Sequence, residues 1–418
     1  MKTPVASPVR SAPVSPGATM MLLAFAGWMA FMIWPRLLVL VGINSFGRWF
    51  LDSYAVLAAI DALRAGLDPT APNPLDALGR DHKYSDWWFA LRWLGVTRES
   101  NFLMGSIWGG AFAAAVWRTV RPRSYREAIW LAVLLVSPPV MLAVQRANND
   151  LVIFAVLAVG GVAAAGPGLV WLAGAVAALV VATGLKFYPA VAALAFIWIR
   201  PVRRMPGALL AALAAVALVL ASLWPQLKRG QFSLPATLHT MGAPILWRDL
   251  GWAGPGMFWV GMVLIVLVAA GLARAGITTG LAAEGEPRER LLAALGAIVV
   301  LACFAVSINY AYRWIFALWP ALWLGRRAAD PGGPPARRWA ARVGCLLLLA
   351  CFWLDGILCI VVNQFFAPVA RPSLEHLQLV WRLWTQPLHW LLMMLLAGWL
   401  LEAALAIGRE WRADRTAR

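Results

Sequence analysis

Four short clusters hold most of the residues in this chain that could do chemistry. The first is Asp52, in Phe50-Leu51-Asp52-Ser53-Tyr54. A carboxylate there could take a proton from an attacking hydroxyl, at a pKa adjusted by partial burial. It could also cap a helix or pair with Arg48, four residues earlier. The second cluster is Arg146-Ala147-Asn148-Asn149-Asp150. Asn149 or Asp150 would cap a following helix; Arg146 offers the planar fork that grips phosphate oxygens, and the amides suit sugar hydroxyls. The third is Gly184-Leu185-Lys186-Phe187-Tyr188-Pro189, inside a long apolar stretch. Gly and Pro there suit chain reversal. Lys186 could contact a lipid phosphate or snorkel to the interface, and Tyr188 could bond a substrate or anchor at the headgroups. The fourth, Ser307 to Trp314, carries Asn309, Tyr310, Tyr312 and Arg313, and also fits an aromatic belt with one snorkelling cation.

Other candidates are weaker. Asp355 falls near the middle of a late apolar run, where it could pair with Arg36 of the first run or serve a proton or substrate. The histidines (His82, His239, His376, His389) are too scattered to propose a metal site. Cys303, Cys345, Cys351 and Cys359 lie in apolar stretches and read as packing residues. No phosphate-cradling glycine loop, nucleophile elbow or zinc motif occurs, so nucleotide chemistry has no support.

The elements that must position these residues are membrane helices. Of the 418 residues 62% are hydrophobic and 13% charged, with mean hydropathy +0.72. A soluble fold does not carry that balance. The net charge of +17 would point to nucleic acid in a soluble protein; here it lies mostly in short connections, where it sets orientation. Many of the 25 tryptophans lie near the ends of apolar runs, as interface residues do.

Apolar runs long enough to cross, or nearly cross, a bilayer recur about twelve times: near Met20–Ile43, Phe102–Thr119, Ala128–Val144, Leu151–Ala165, Leu169–Leu185, Ala190–Ile199, Ala208–Trp224, Gly256–Leu272, Leu291–Ser307, Trp314–Leu324, Val343–Phe365 and Pro387–Ile407. Ala190–Ile199 and Trp314–Leu324 are short enough to be broken or re-entrant. The expected fold is all-α, a polytopic bundle with an amphipathic segment lying along the surface in the loop after the first helix. With the N-terminus inside, the inner segments hold 21 of the 36 basic residues, which predicts both termini on the cytoplasmic side of a bacterial inner membrane. Residues 1–18, rich in Pro and Ser, are expected to be disordered. The organisation predicted is a core over 19–325 with a long periplasmic loop at 44–101, a basic cytoplasmic loop at 326–342, terminal helices over 343–408 and a cytoplasmic tail at 409–418. All four clusters then face outward.

Taken in order, these segments resemble the polyprenol-phosphate-sugar-dependent membrane glycosyltransferases of the GT-C class, and within it glycosyltransferase family 87, the alpha-mannosyltransferase-like group. The resemblance rests on Asp52 and Tyr54 with the Ala65 to Pro69 turn, on Arg146-Ala147-Asn148-Asn149-Asp150, on Leu185-Lys186-Phe187-Tyr188-Pro189 and on Asn309-Tyr310-Ala311-Tyr312-Arg313, and covers about Ala18 to Gly325. It implies inverting transfer of a mannose-like sugar from a polyprenyl-phosphate donor to a lipid or glycan acceptor, without a nucleotide donor or resident cofactor; a divalent metal is left open. Asp52 would match the general base. Arg146 and Lys186 would stabilise the departing lipid phosphate, and Asn148, Asn149, Tyr188 and Arg313 would orient donor and acceptor. Asp150, Asn309, Tyr310 and Tyr312 complete the expected substrate-binding set. A secondary transporter or flippase of a lipid-linked or anionic substrate is the alternative, and a non-catalytic subunit of an envelope-assembly complex a third class.

Overall fold

The computed structural model describes residues 14–43, 47–166, 168–198, 206–229, 239–252, 255–277, 286–365 and 371–416. The protein is an all-α membrane protein. In chain order the helices are α1 (Pro16–Ile33), α2 (Arg36–Leu40), α3 (Leu51–Arg64), α4 (Asn101–Thr119), α5 (Tyr125–Leu135), α6 (Pro138–Arg146), α7 (Asn149–Ala164), α8 (Leu169–Leu185), α9 (Pro206–Ser222), α10 (Trp224–Arg229), α11 (Ala243–Asp249), α12 (Pro255–Arg274), α13 (Pro287–Val306), α14 (Leu318–Ala329), α15 (Pro335–Phe365) and α16 (Arg371–Thr416). Tighter 3-10 turns cover Asp86–Leu94, Arg98–Ser100, Tyr188–Trp198 and Ala311–Ala317. A two-residue antiparallel ladder joins β1 (Thr240–Met241) to β2 (Asn309–Tyr310).

Among the described residues five helices are long and apolar enough to cross a membrane: α1, α12, α13, and stretches of α15 and α16. Their burial sorts them. Within the bundle α13 is 67% buried over its apolar window, against 17% for α1 and 22% for α12, so α13 is central and the other two present Leu22, Phe25, Trp259 and Val266 outward, as lipid contact requires. Around α13 pack α7, α14, α16 and the Tyr188–Trp198 turn, with α12 against α16 and α1 against α5.

Three sequence expectations change here. The run Ala128–Val144 is two helices, α5 and α6, bent by 59°. Pro138 and Pro139 lack the N–H groups that would continue the ladder. The carbonyls so released find other donors. The Trp353 indole donates to Val133 O (3.1 Å), that of Trp28 to Leu135 O (2.8 Å), and Ser137 Oγ to Leu134 O (2.6 Å). At least these two tryptophans therefore satisfy backbone inside the bundle rather than anchor at an interface. Likewise Met20–Ile43 splits, α1 ending at Ile33 and α2 following. Residues Pro16 to Ala18, expected to be disordered, already belong to α1, capped by the Ser15 side chain; residues 1–13 lie outside the described set.

Candidate functional site

The site is assembled at the start of α3, the α6–α7 corner, the α8 end and the β2 end. Two backbone positions in the left-handed region create it. Phe50 (φ +60°) precedes α3 and turns the chain so that Asp52 enters the first turn facing inward. Ala147 (φ +42°) ends α6 and starts α7 at once, a conformation glycine adopts without steric cost. Arg146 and Asn148, on either side of that corner, consequently reach the same carboxylate. The two corners are tied together: Phe50 N donates to Gln145 O (2.8 Å) and Gln145 Nε2 to Arg48 O (3.0 Å).

Asp52 is 3% exposed. Arg146 donates through Nε to both its oxygens (3.0 Å each) and through Nη2 to Oδ1 (2.8 Å). Asn148 Nδ2 donates to Oδ2 (2.6 Å), and Arg80 Nη1 adds a contact at 3.5 Å. Burial pushes the carboxyl up, but the charges and hydrogen bonds of Arg146 and Asn148, with Arg80 beyond, outweigh it and hold Asp52 below its ordinary 3.8. Asp52 is thus an ionised, fully engaged carboxylate. The alternative partner, Arg48, instead lies over the Tyr54 ring at 5.0 Å.

Asp150 anchors the second half and is fully buried. Lys186 Nζ donates to its Oδ1 at 2.5 Å, Tyr188 Oη to the same atom at 2.7 Å, and Arg313 Nε lies 3.6 Å from Oδ2. Arg313 also donates to Asn309 Oδ1, and its guanidinium covers the Tyr188 ring at 4.6 Å. Asn309 in turn donates to the carbonyls of Cys303 and Ser307, closing the end of α13. Lys186 is buried rather than snorkelling, within 6 Å of the Tyr84, Tyr188 and Tyr312 rings (5.9, 5.7 and 5.7 Å), where a cation gains from the ring faces. Arg313, side chain 14% exposed, is no snorkelling residue either. Tyr310 stacks on Tyr312 at 5.4 Å.

Asn148 joins the halves, and it is the cap of α7: its Oδ1 accepts from Asp150 N (2.9 Å) while its Nδ2 holds Asp52. The expectation that Asn149 or Asp150 caps this helix is therefore corrected. A residue that satisfied both a cap and the Asp52 carboxylate had to be the one at the corner. Asn149 stands apart: it is fully buried in the first turn of α7 and its amide bonds none of the other site residues. The remaining ten expected residues come together.

The loop between α3 and α4 supplies two residues that sequence reasoning passed over. Arg80 bonds Asp76 through Nε and Nη2 (2.8 Å each) and Leu51 O through Nη2 (2.8 Å), bringing a second guanidinium to Asp52. The four-residue spacing of Asp76 and Arg80 was the available signal. Tyr84 lies beside the charges of Asp52 and Lys186, and burial holds its phenol well above the usual range. Trp88 Nε1 pins the same loop to Leu185 O (3.1 Å).

Arg80, Arg146, Lys186 and Arg313 face the three carboxylates Asp52, Asp76 and Asp150, leaving one positive charge in excess. No ion pair joins Asp355 to Arg36 among the described residues; Asp355 lies within electrostatic reach of His239 and His389 instead. No group of three His, Cys, Asp or Glu among the described residues could hold a metal ion. Family models, curated proteins and solved structures include no match to this chain.

Proposed function

We propose that this protein is a membrane glycosyltransferase of the GT-C kind that transfers a mannose-like sugar from a polyprenyl-phosphate donor to a lipid or glycan acceptor. The observation that carries this reading is the convergence of a buried acid, Asp52, with Arg146, Lys186 and Arg313 in one cluster whose cations exceed its carboxylates. Such a cluster has room, electrostatically, for one more anion, and a lipid phosphate is that anion. As the sugar–phosphate bond breaks, negative charge grows on the leaving oxygen, and fixed cations stabilise it at no cost of reorganisation. Asp52, exchanging an Arg146 hydrogen bond for the acceptor hydroxyl, takes the proton as the new bond forms. Asn148, Asp150, Tyr188, Asn309, Tyr310 and Tyr312 bind and orient the sugar and its acceptor, and Tyr84 shares that role.

The proposal extends to about twelve crossings. The five long spans, the bent α5–α6 pair, the four shorter apolar helices, α4 and the Ala311–Ala329 stretch make up that number. Both termini would be cytoplasmic in a bacterial inner membrane, with the site facing the exterior. The test is transfer by purified protein from a panel of polyprenyl-phosphate sugars. Asp52→Asn, close in shape, should retain folding and insertion and lose transfer by about 10²-fold or more, as removal of a general base does; undiminished transfer by that variant removes Asp52 as the base.

A second reading, a secondary transporter or flippase, draws on Asp355, His239 and His389, ionisable groups away from this cluster. It requires the site to open to both sides in turn.

A further inference from the structure

Among the described residues three non-glycine positions take up the left-handed region: Phe50, Ala147 and His239. The first two make the corners that aim Asp52, Arg146 and Asn148. A side chain in that region strains the backbone and persists only where its surroundings over-determine it. His239 (φ +61°) is 5% exposed and is held through both its backbone and its ring. Its carbonyl accepts from Ala311 N at 2.7 Å, beside the ladder in which Thr240 faces Tyr310 and Met241 faces Asn309. A Cβ on Gly242 (φ +152°) would collide with Ser307 O, so only glycine lets β1 pass this close to the end of α13. The arm held in this way brings Asn309 and Tyr310 to the site, with Tyr312 and Arg313 just beyond them.

The imidazole fixes the other end. Its Nε2 lies 2.7 Å from Val41 O, and a Cβ on Gly42 would meet both that nitrogen and Cys359 Sγ. The ring is therefore wedged between the turn after α2 and α15. A carbonyl only accepts, so Nε2 carries the proton; Nδ1 is buried and has no partner among the described residues. Asp355 faces the ring from α15, one turn before Cys359, and His389 of α16 reaches the same acid. The α2 turn offers the Val41 carbonyl, and β2 offers Tyr310 across the ladder. Burial holds the ring below its ordinary 6.5, with Asp355 and Val41 O opposing.

We propose that His239 is a positioning residue for the site, locking the Asn309–Arg313 arm in register by tying β1 to the turn after α2 and to α15. Its effect on chemistry rests on the sugar-transfer reading; the lock itself does not. A two-residue ladder is too short to hold register alone. A slip by one residue would turn Asn309 and its neighbours to the other face, and Arg313 would lose its place 3.6 Å from Asp150.

The experiment is amide hydrogen exchange at residues 309–313 of the full-length protein in neutral detergent, comparing the native chain, His239→Leu and His239→Gln. Gln can place an N–H where Nε2 stands; Leu cannot. Leu should speed exchange about tenfold, the order for an unmade buried hydrogen bond, while Gln stays within about threefold of native. Corrected for intrinsic rate, native exchange should quicken as pH falls below 6.5, because the undocked ring binds the proton more readily than the docked one. The Gln variant should show no such slope. Transfer should fall about tenfold or more in the Leu variant and be largely kept with Gln. Absence of transfer from all three proteins, native included, defeats the sugar reading and leaves exchange to judge the lock. Should the Leu variant fail to fold, the pH comparison between native and Gln decides alone. Unchanged exchange with Leu, a Gln variant as fast as Leu, or a native pH slope that Gln retains each overturns the proposal.

Discussion

Asp150 shows how tightly the site is balanced at the scale of single residues. Its carboxylate is inaccessible to water, and three side chains (Lys186, Tyr188 and Arg313) supply what water would have supplied. Removing one partner leaves a buried charge short of compensation, which typically costs about 3–5 kcal/mol. Lys186→Met should fall near the lower end, about 3 kcal/mol, because Tyr188 and Arg313 remain. Adding Asp150→Asn should recover part of that loss, since the uncompensated charge goes with it. Unfolding of the two single variants and the double variant in detergent measures the coupling; strictly additive losses would contradict a direct Lys186–Asp150 interaction.

Elements set the angles at which these residues meet. Gly105 of α4 lies directly under Phe50: a Cβ there would sit 2.3 Å from the Phe50 ring. Since Phe50 holds the left-handed turn that aims Asp52, Gly105→Val should destabilise by about 1–3 kcal/mol through overpacking and should reduce transfer more than its stability loss explains. Melting curves and transfer rates measured on the same preparation check this. The loop between α3 and α4 is held in part by His82, whose ring lies 4.5 Å from Phe89 and 5.9 Å from Tyr84. Burial pushes that imidazole down from 6.5 to about 4, the Ser85 carbonyl and nearby acids opposing only in part. A lowered histidine pKa means the undocked loop binds the proton more readily. Docking should be strongest above pH 6.5, weaken as pH falls towards 4, and lose nothing further from this group below that. Hydrogen exchange over residues 76–95 should record this slope, and His82→Phe should flatten it.

At the scale of the whole molecule two charged clusters lie at opposite ends of the Ala311–Ala329 stretch: the acid-and-cation cluster of Asp150 and Arg313, and the arginine cluster around Arg326. Around Arg326 the second is a tie rather than a site, with Glu127 of α5 and Glu289 of α13 held by the same guanidinium. An enzyme of the proposed kind keeps its cluster open to one side only. A single cysteine at residue 187, half-buried at the edge of the site, in a variant without the four native cysteines, should therefore react with an impermeant maleimide from one face in intact vesicles. Reaction from both faces, changing with substrate, would favour the transporter reading.

The membrane class, the four clusters and their order were legible in the sequence, because long apolar runs and the polar residues that interrupt them are local properties. The pairing within the site was not. Arg146 and Asp52 are 94 residues apart, as are Arg80 and Asp52 by 28, and spacing favoured the local partner Arg48 instead. Nor could the sequence choose Asn148 over Asn149 or Asp150 as the cap, or divide Ala128–Val144 into two helices whose freed carbonyls are met by Trp28 and Trp353. Each of those outcomes depends on a donor or acceptor brought from a distant element. Burial favours pairing of such groups, and only the tertiary structure decides which partner is within reach.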